Sequence, residues 1–247
     1  MFTVKAYLMS NELLKASHPF TYAGNNDQQL PTAIRAAPAG LITAIRCSPL
    51  ARPHNIILKR LFDITISLLV IVCLLSWLLP ILALLIKLDS RGPVFFLQQR
   101  NKQKGGRFAC IKLRTMVVNP EADTMTATFN DKRITALGNF LRISHLDELP
   151  QFLNVLWGDM SVIGPRPHMV AENIKYNILF NYYNDRHFVK PGITGLAQSL
   201  GYYGPAARLQ EIEQKLKFDL YYINHWSLGM DIKIMMKTIV MIYNKKS

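Results

Sequence analysis

One long apolar run dominates the pattern of hydrophobic and polar positions along the chain. Ile64 to Ile86 comprises 23 residues without a charged side chain. At 1.5 Å per residue, a straight helix of this length reaches about 35 Å, which is enough to cross the hydrocarbon core of a bilayer. A surface helix of a soluble domain keeps a polar face, and this run has none. The pattern therefore predicts a membrane helix within residues 56–88.

Both flanks of this run are basic. Lys59 and Arg60 precede it, and Lys87 and Arg91 follow it. Basic residues favour the cytoplasmic side of a membrane, so a helix that crosses would place one basic flank on the unfavourable side. Pro80 interrupts the run and lacks the backbone donor that a straight helix needs. We therefore expect a re-entrant helix that bends at or just before Pro80, although proline also kinks helices that span a membrane.

After Ser90 the pattern changes to short strand-like and helix-like periods. Apolar residues three and four positions apart predict helices, and β-branched and aromatic runs between turns predict strands. The last stretch is short, apolar and basic, which suits either a helix in the membrane interface or an ordinary core helix. The predicted elements are strands within 90–100 and 107–116, helices within 131–159 and 168–188, an extended loop at 164–167, a turn at 190–195, and helices within 206–226 and 230–246.

These elements predict a mostly helical α/β domain that a re-entrant helix attaches to one face of the membrane, a monotopic arrangement. Residues 1–55 mix short apolar runs with turn-forming residues, and we expect them to be weakly structured. The domain itself would occupy residues 89–247, with interfacial helices.

Composition narrows the class of partner. The 247 residues are 50% hydrophobic, enough for one sizeable core, and carry 29 basic against 16 acidic side chains, a net charge of +13. Such an excess favours phosphate-bearing substrates, anionic lipids or nucleic acid. Nucleic acid is disfavoured because we find neither aromatic–basic interleaving nor a zinc-finger or helix-turn-helix pattern. Cys47, Cys73 and Cys110 lack metal-ligand spacing, which indicates ordinary thiols in a reducing compartment.

The candidate chemistry centres on two neighbouring acids, Asp147 and Glu148, in the run HLDELPQ. Many cations accompany them along the chain, and a carboxylate among cations is held ionised. It can then act as a nucleophile or hold a hard cation such as Mg²⁺. Arginine suits phosphate because its planar fork donates two parallel hydrogen bonds. An Asp-Glu pair can also be a purely structural placement at the start of a helical turn. The nearby cations include Lys112, Arg114, Arg142, Arg166 and Lys190.

Several motifs together resemble one family. HLDELPQFLNVLWGDMSVIGPRP occurs with LKRLFD before the apolar run, and with GPVFFLQQR, KLRTM and VKPGITGLAQ after it. The combination resembles the bacterial sugar transferases, the monotopic phosphoglycosyl transferases that start exopolysaccharide, capsule or O-antigen synthesis. The likeness covers about residues 57–247, and its C-terminal part looks like the undecaprenyl-phosphate glucose or galactose phosphotransferases.

This resemblance implies a reaction and a set of residues. Asp147 would attack the sugar-bearing phosphate of a UDP-sugar, with UDP-glucose or UDP-galactose as the expected donor, and expel UMP. Undecaprenyl phosphate would then accept the phosphosugar. Asp147 and Glu148 would hold Mg²⁺. Arg166 and Arg142 would contact phosphates. The remaining residues expected to contact the substrate are Lys112, Arg114 and Gln151.

The resemblance also implies a location in the bacterial inner membrane, with the transferase domain facing the cytoplasm, contacts with membrane lipids, and possible homo-oligomers. The family's helix-breaking Ser-Pro pair falls at Ser76 and Trp77 here, and the nearest proline is Pro80. We therefore expect Ser76 and Pro80 to mark the break. Two alternatives stay open: a non-catalytic membrane scaffold of polysaccharide assembly, and a basic peripheral protein that binds anionic lipid or nucleic acid.

Overall fold

The computed structural model describes residues 48–119, 128, 131–202, 204 and 208–244. Most of the predicted weakly structured segment, residues 1–47, lies outside these ranges. Its described remainder forms a 3-10 turn at Pro49–Ala51 and the start of the first helix at Pro53.

The described residues are mostly helical, with two small two-stranded sheets. The first sheet is antiparallel and the second parallel, and 3-10 turns lie at Gln103–Gly105, Leu146–Glu148 and Tyr183–Phe188. The helices are α1 (Pro53–Val70), α2 (Ser76–Asp89), α3 (Ala136–Ile143), α4 (Gln151–Trp157), α5 (Val170–Leu179), α6 (Leu196–Ser199), α7 (Leu209–His225) and α8 (Leu228–Asn244). The strands are β1 (Phe95–Asn101), β2 (Arg107–Leu113), β3 (Ser161–Ile163) and β4 (Gly192–Thr194).

Helices α1 and α2 form one long helical rod, Pro53–Asp89, which in the described part of the chain is the one helix long and apolar enough to cross a membrane. A π-helical turn at Ile71–Leu75 separates its two parts. Ser76 Oγ donates to the carbonyl of Val72 at 2.7 Å, and Trp77 Nε1 donates to the next carbonyl at 2.9 Å. Side chains thus satisfy backbone acceptors at the irregular turn. Pro80 lies further on, inside α2.

The N-terminal part of the rod is tied to the domain by buried polar contacts. Lys59 Nζ lies 2.8 Å from a carboxylate oxygen of Asp231, at the start of α8. Asp63 accepts hydrogen bonds from the hydroxyl of Ser161 at 2.8 Å and from the backbone N–H of Val162 at 2.9 Å. Because a buried charge needs such partners, these contacts fix α1 against β3 and α8.

The C-terminal part of the rod packs on the same domain through apolar side chains. Leu82 and Ile86 are buried with Leu113 of β2 and Leu141 of α3. The guanidinium of Arg114 donates to the carbonyls of Ser90 at 2.6 Å and Arg91 at 2.7 Å, where α2 ends. Both ends of the long helix therefore contact one domain.

Several predicted elements are confirmed, among them the strand pair β1–β2, helix α7 and the termination of α4 at Gly158, whose φ is +90°. The helix predicted over 131–159 is wrong as a single element, because His145 adopts a left-handed conformation with φ +57° and separates α3 from the following turn. The helix predicted over 168–188 likewise ends at Leu179.

The turn predicted at 190–195 contains strand β4, which pairs with β3. A Cβ on Gly192 would lie 2.1 Å from the backbone nitrogen of Gly164, so only glycine permits this approach. Strands of three residues are too short to show a hydrophobic period, which is why the pattern did not reveal them.

Candidate active site

The contact between β2 and α4 positions the residues of the site. The amide of Asn154 accepts from the backbone N–H of Ile111 at 3.0 Å and donates to the carbonyl of Ala109 at 2.9 Å. One buried side chain thereby continues the hydrogen bonding of β2 and fixes the strand beside α4. Lys112, the next residue of β2, consequently projects beside the turn that precedes α4.

That turn carries the two acids. His145, at φ +57°, reverses the chain after α3 and leads into the 3-10 turn Leu146–Glu148. Asp147 is 8% exposed, and the Glu148 side chain is 12% exposed. The turn therefore directs both adjacent carboxylates into the domain, which a regular helix would not do for neighbouring positions.

Glu148 is fully engaged by two cations. Arg166 donates from Nη2 to Oε1 at 2.5 Å and from Nη1 to Oε2 at 3.1 Å, a bidentate pair. Lys112 Nζ adds a third contact to Oε1 at 2.6 Å. Burial raises the pKa of Glu148, but the opposing effect of Arg166 and Lys112 is larger, so the pKa lies well below its ordinary value. Glu148 is therefore ionised throughout the physiological range.

Asp147 stands beside this ion pair without joining it. Among the described residues, none donates a hydrogen bond to its carboxylate. Burial raises the pKa of Asp147 to about 6, and the charge of Glu148 adds to the rise, whereas Lys112, Arg142 and Arg166 oppose it. Near neutral pH the site thus holds one ionised carboxylate that is free to react, with cations close by.

The loop 164–167 is held at successive backbone positions. Gly164 N–H donates to the carbonyl of Thr194 at 2.9 Å, and the carbonyl of Pro165 accepts from Gly192 N–H at 2.9 Å. These bonds join the loop to β4 at its start.

Two further arginines hold the second half of the loop. Arg186 Nη2 donates to the carbonyl of Arg166 at 2.7 Å, and Arg100 donates to the carbonyl of Pro167. Arg186 is itself paired with Asp219 of α7 at 2.7 Å, with both side chains buried. The loop is therefore rigid, and Arg166 is presented to Glu148 in one orientation.

Arg142 reaches the site from the end of α3. Its Nε donates to Thr115 Oγ1 at 2.7 Å. Gly138 makes this approach possible, because a Cβ there would lie 2.0 Å from the carbonyl oxygen of Thr115. Helix α3 can thus lie directly on the segment after β2, with Arg142 toward Asp147.

The structure brings together Asp147, Glu148, Lys112, Arg142 and Arg166. Arg114, 6% exposed, is instead bound to carbonyls at the end of α2, so its guanidinium anchors the long helix. Gln151 is buried at the first residue of α4 and is not among the described residues that line the cavity discussed next.

A cavity of about 2020 Å³ opens at these residues and continues toward the long helix. This exceeds the volume of a typical small-molecule pocket, about 300–1,000 Å³. The carboxylates and arginines line one end. The other end is apolar and lies between two helical stripes, each on one face of its helix: Ile66, Val70 and Leu74 of the long helix, and Met235, Ile239 and Ile242 of α8.

Asp147 and Glu148 are two acids of the cavity that could contribute ligands to a metal ion. In the described part of the chain, no cluster of three or more His, Cys, Asp or Glu side chains could hold an ion. Mg²⁺ commonly uses only one or two carboxylates and completes its octahedron with water and substrate phosphates. Asp147 fits such a role directly. Glu148 fits it only if one of its oxygens gives up a contact with Arg166 or Lys112 in exchange for the metal ion. The pair therefore suits an ion that is bound chiefly by a diphosphate substrate.

The buried acids, the rigid loop 164–167 with Arg166, and the partly apolar cavity define a membrane-associated site that handles phosphate. Comparison with known protein families agrees with this class of site. The chain matches the family described as bacterial sugar transferase over residues 54–245. It therefore belongs to the bacterial sugar transferase family.

Relatives are known from several bacteria. A UDP-glucose:undecaprenyl-phosphate glucose-1-phosphate transferase of Escherichia coli (strain K12) is 48% identical over 186 residues, which cover 75% of this chain and 40% of that protein. The protein of the same name from Klebsiella pneumoniae is 45% identical over 194 residues, 78% of this chain and 42% of the relative. Another from Caulobacter vibrioides is 40% identical over 200 residues, covering 81% and 74%. The chain thus spans about two fifths of the first two relatives.

Sequence reasoning missed the residues that support the site rather than form it. Arg100, Arg186, Asp219 and Asn154 act through contacts with residues far away in the chain. No local motif marks them, since their roles exist only after the strands and helices have packed.

The shifted pKa of Asp147 can be measured by carboxyl ¹³C NMR of the detergent-solubilised protein, with Asp147→Asn for assignment. We expect a midpoint near 6. Lys112→Gln should move this midpoint upward, because Lys112 lowers the pKa of Asp147. Lys104→Gln, at the exposed β1–β2 turn, is the matched control and should leave it unchanged. An unmoved or lower midpoint in Lys112→Gln would contradict the electrostatic account.

Proposed function

We propose that this protein transfers a hexose phosphate from a UDP-sugar to undecaprenyl phosphate and releases UMP, the first membrane step in making an exopolysaccharide, capsule or O-antigen. UDP-glucose and UDP-galactose are the donors to test first. The observation that carries the proposal is the carboxylate of Asp147, which no described residue pairs with, beside the ion pair of Glu148 with Arg166 and Lys112. The names of the relatives, which state this donor and acceptor, support it.

In the first step, an oxygen of Asp147 attacks the phosphorus that carries the sugar. A bond forms between that oxygen and phosphorus, the bond from phosphorus to the bridging oxygen breaks, and UMP leaves with the electron pair. Arg166 and Arg142 lie where negative charge accumulates and offset it. Asp147 or Glu148 would hold Mg²⁺, which would supply further neutralisation of the leaving phosphate.

In the second step, an oxygen of polyprenyl phosphate attacks the phosphorus of the aspartyl phosphosugar. The bond from phosphorus to Asp147 breaks, which restores the carboxylate and forms the polyprenyl diphosphosugar. The apolar end of the cavity supports a lipid acceptor, because Ile66, Val70 and Leu74 of the long helix and the stripe of α8 line the same cavity as the acids. An isoprenoid chain with a phosphate head group matches a cavity that has both a polar and an apolar surface.

We further propose that the long helix re-enters the membrane on the cytoplasmic side, where UDP-sugars are made. If the helix crossed the bilayer, Lys59 and Asp63 would lie on the side opposite the domain. Their contacts with Asp231 and Val162 instead keep the N-terminal end beside the domain that also packs on Ile86. The π-helical turn at Ile71–Leu75 supports a bend there.

Release of UMP from purified protein tests the reaction. Wild type with a UDP-sugar should release UMP, and Asp147→Asn should reduce release to background because an amide cannot form the acyl phosphate. Glu148→Gln should retain a low rate, since it keeps the nucleophile but loses the anchor for Arg166. Glu213→Gln, on α7, is the control and should match wild type. Absence of UMP release with every UDP-sugar would favour the scaffold alternative.

The apolar end of the cavity can be tested separately from donor chemistry. Val70→Trp should raise the KM for a long-chain polyprenyl phosphate severalfold, because the indole fills the groove, while UMP release without acceptor stays unchanged. Leu69, the neighbouring residue, is 57% exposed, so Leu69→Trp places the same ring outside the groove and should have no effect. Equal behaviour of the two variants would remove the groove from the acceptor site.

Topology can be read by cysteine labelling in intact cells. Ala51→Cys, on a background with Cys47, Cys73 and Cys110 replaced by serine, should resist a membrane-impermeant maleimide and react after permeabilisation. Labelling in intact cells would mean that the helix spans the membrane. A cysteine at exposed Lys104 serves as the cytoplasmic control.

A further inference from the structure

A pair of cations lies at the end of α4, outside the cavity of Asp147 and Glu148. Arg60 of the long helix donates to the carbonyls of Val155 at 2.6 Å and Leu156 at 2.7 Å, which closes the last turn of α4. Its guanidinium therefore has a fixed position beside Gly158. We name Arg60, Gly158 and Lys190 the α4 corner.

Lys190 approaches the same point from the segment before β4. A Cβ built on Gly158 would lie 3.4 Å from Lys190 Nζ and 3.7 Å from Arg60 Nη2, so the two nitrogens are within about 7 Å of each other. The missing side chain of Gly158 leaves room between them. A ligand with oxygens spaced like those of a phosphate can contact both cations at once.

Two carboxylates act on Lys190, and both have other partners. Asp63 accepts hydrogen bonds from Ser161 and Val162, and Asp159 is paired with Lys102 at 2.6 Å. No described residue pairs with Lys190, and burial together with the charge of Arg60 lowers its pKa. Two like charges held this close, beside acids that are already engaged by other groups, favour the binding of an anion between them.

The position of the corner identifies the source of that anion. Arg60 lies one helical turn before the apolar run that begins at Ile64. Trp157, 68% exposed, borders the corner and is of the residue type that favours the headgroup level of a bilayer. With the long helix in a membrane, the corner lies at the depth of lipid phosphates.

We propose that the α4 corner binds the phosphate of an anionic phospholipid headgroup between Arg60 and Lys190, with Trp157 against the glycerol and upper acyl region. The bound lipid secures the N-terminal end of the long helix beside the domain. This inference depends on the helix lying in a bilayer and not on the transferase reaction. The site is separate from the cavity of Asp147, so the lipid bound here is not the acceptor.

The test is lipid retention by purified protein in neutral detergent, measured by native mass spectrometry. Wild type should retain dioctanoyl phosphatidylglycerol over dioctanoyl phosphatidylcholine. Lys190→Gln should weaken phosphatidylglycerol binding about tenfold, the effect of one lost charge-assisted hydrogen bond. Lys190→Arg should restore binding. Lys217→Gln, which removes the same charge from α7, should bind like wild type.

Three results would overturn the proposal: equal retention by wild type and Lys190→Gln, an equal loss in Lys217→Gln, which would indicate attraction by net charge alone, or complete displacement by glycerol phosphate at the concentration of the lipid. UMP release without acceptor provides an independent readout. Lys190→Gln should preserve that release, so a failed lipid site and a failed transferase assignment give different results.

Discussion

The site depends on the ion pair that Glu148 makes with Arg166 and Lys112. It places two cations next to Asp147, whose carboxylate accepts no hydrogen bond from any residue that the structure describes. Burial alone would favour the protonated, unreactive form of Asp147, and the neighbouring cations limit the rise of its pKa to about 6. The adjacent acids therefore differ: Glu148 binds the cations, and Asp147 keeps the unshared oxygens that the proposed nucleophilic attack requires.

This arrangement requires three parts of the chain that are distant in sequence to be held at fixed positions relative to one another. Asn154 fixes β2, and so Lys112, beside the turn that bears the acids. The loop 164–167, which carries Arg166, is held by Arg100 and by Arg186, whose partner Asp219 belongs to α7. The long helix joins the same frame at both ends. Ile66, Val70 and Leu74, in its apolar middle, line the same cavity as the acids, so one cavity presents both a phosphate-handling surface and an apolar surface.

The sequence predicted the parts of the molecule whose signal is local. The charge-free run from Ile64, the strands β1 and β2, and the acids with Arg166 could all be recognised before folding was considered. It did not predict contacts that arise from packing. Arg114 and Arg166 look equally suited to phosphate in the sequence, yet one anchors the end of α2 and the other faces Glu148. The left-handed His145, which turns the acids inward, likewise interrupts an otherwise regular helical pattern.

In the proposed reaction Asp147, and not its neighbour, forms a bond to the phosphosugar. Incubation of the protein with a UDP-sugar in the absence of polyprenyl phosphate, followed by acid quenching and peptide mass spectrometry, detects that bond. We expect a mass increase of one hexose phosphate on the peptide that contains Asp147, located at that residue and removed when acceptor is added. An adduct on Glu148 or elsewhere, or UMP release that begins only with acceptor and never yields an adduct, would contradict it.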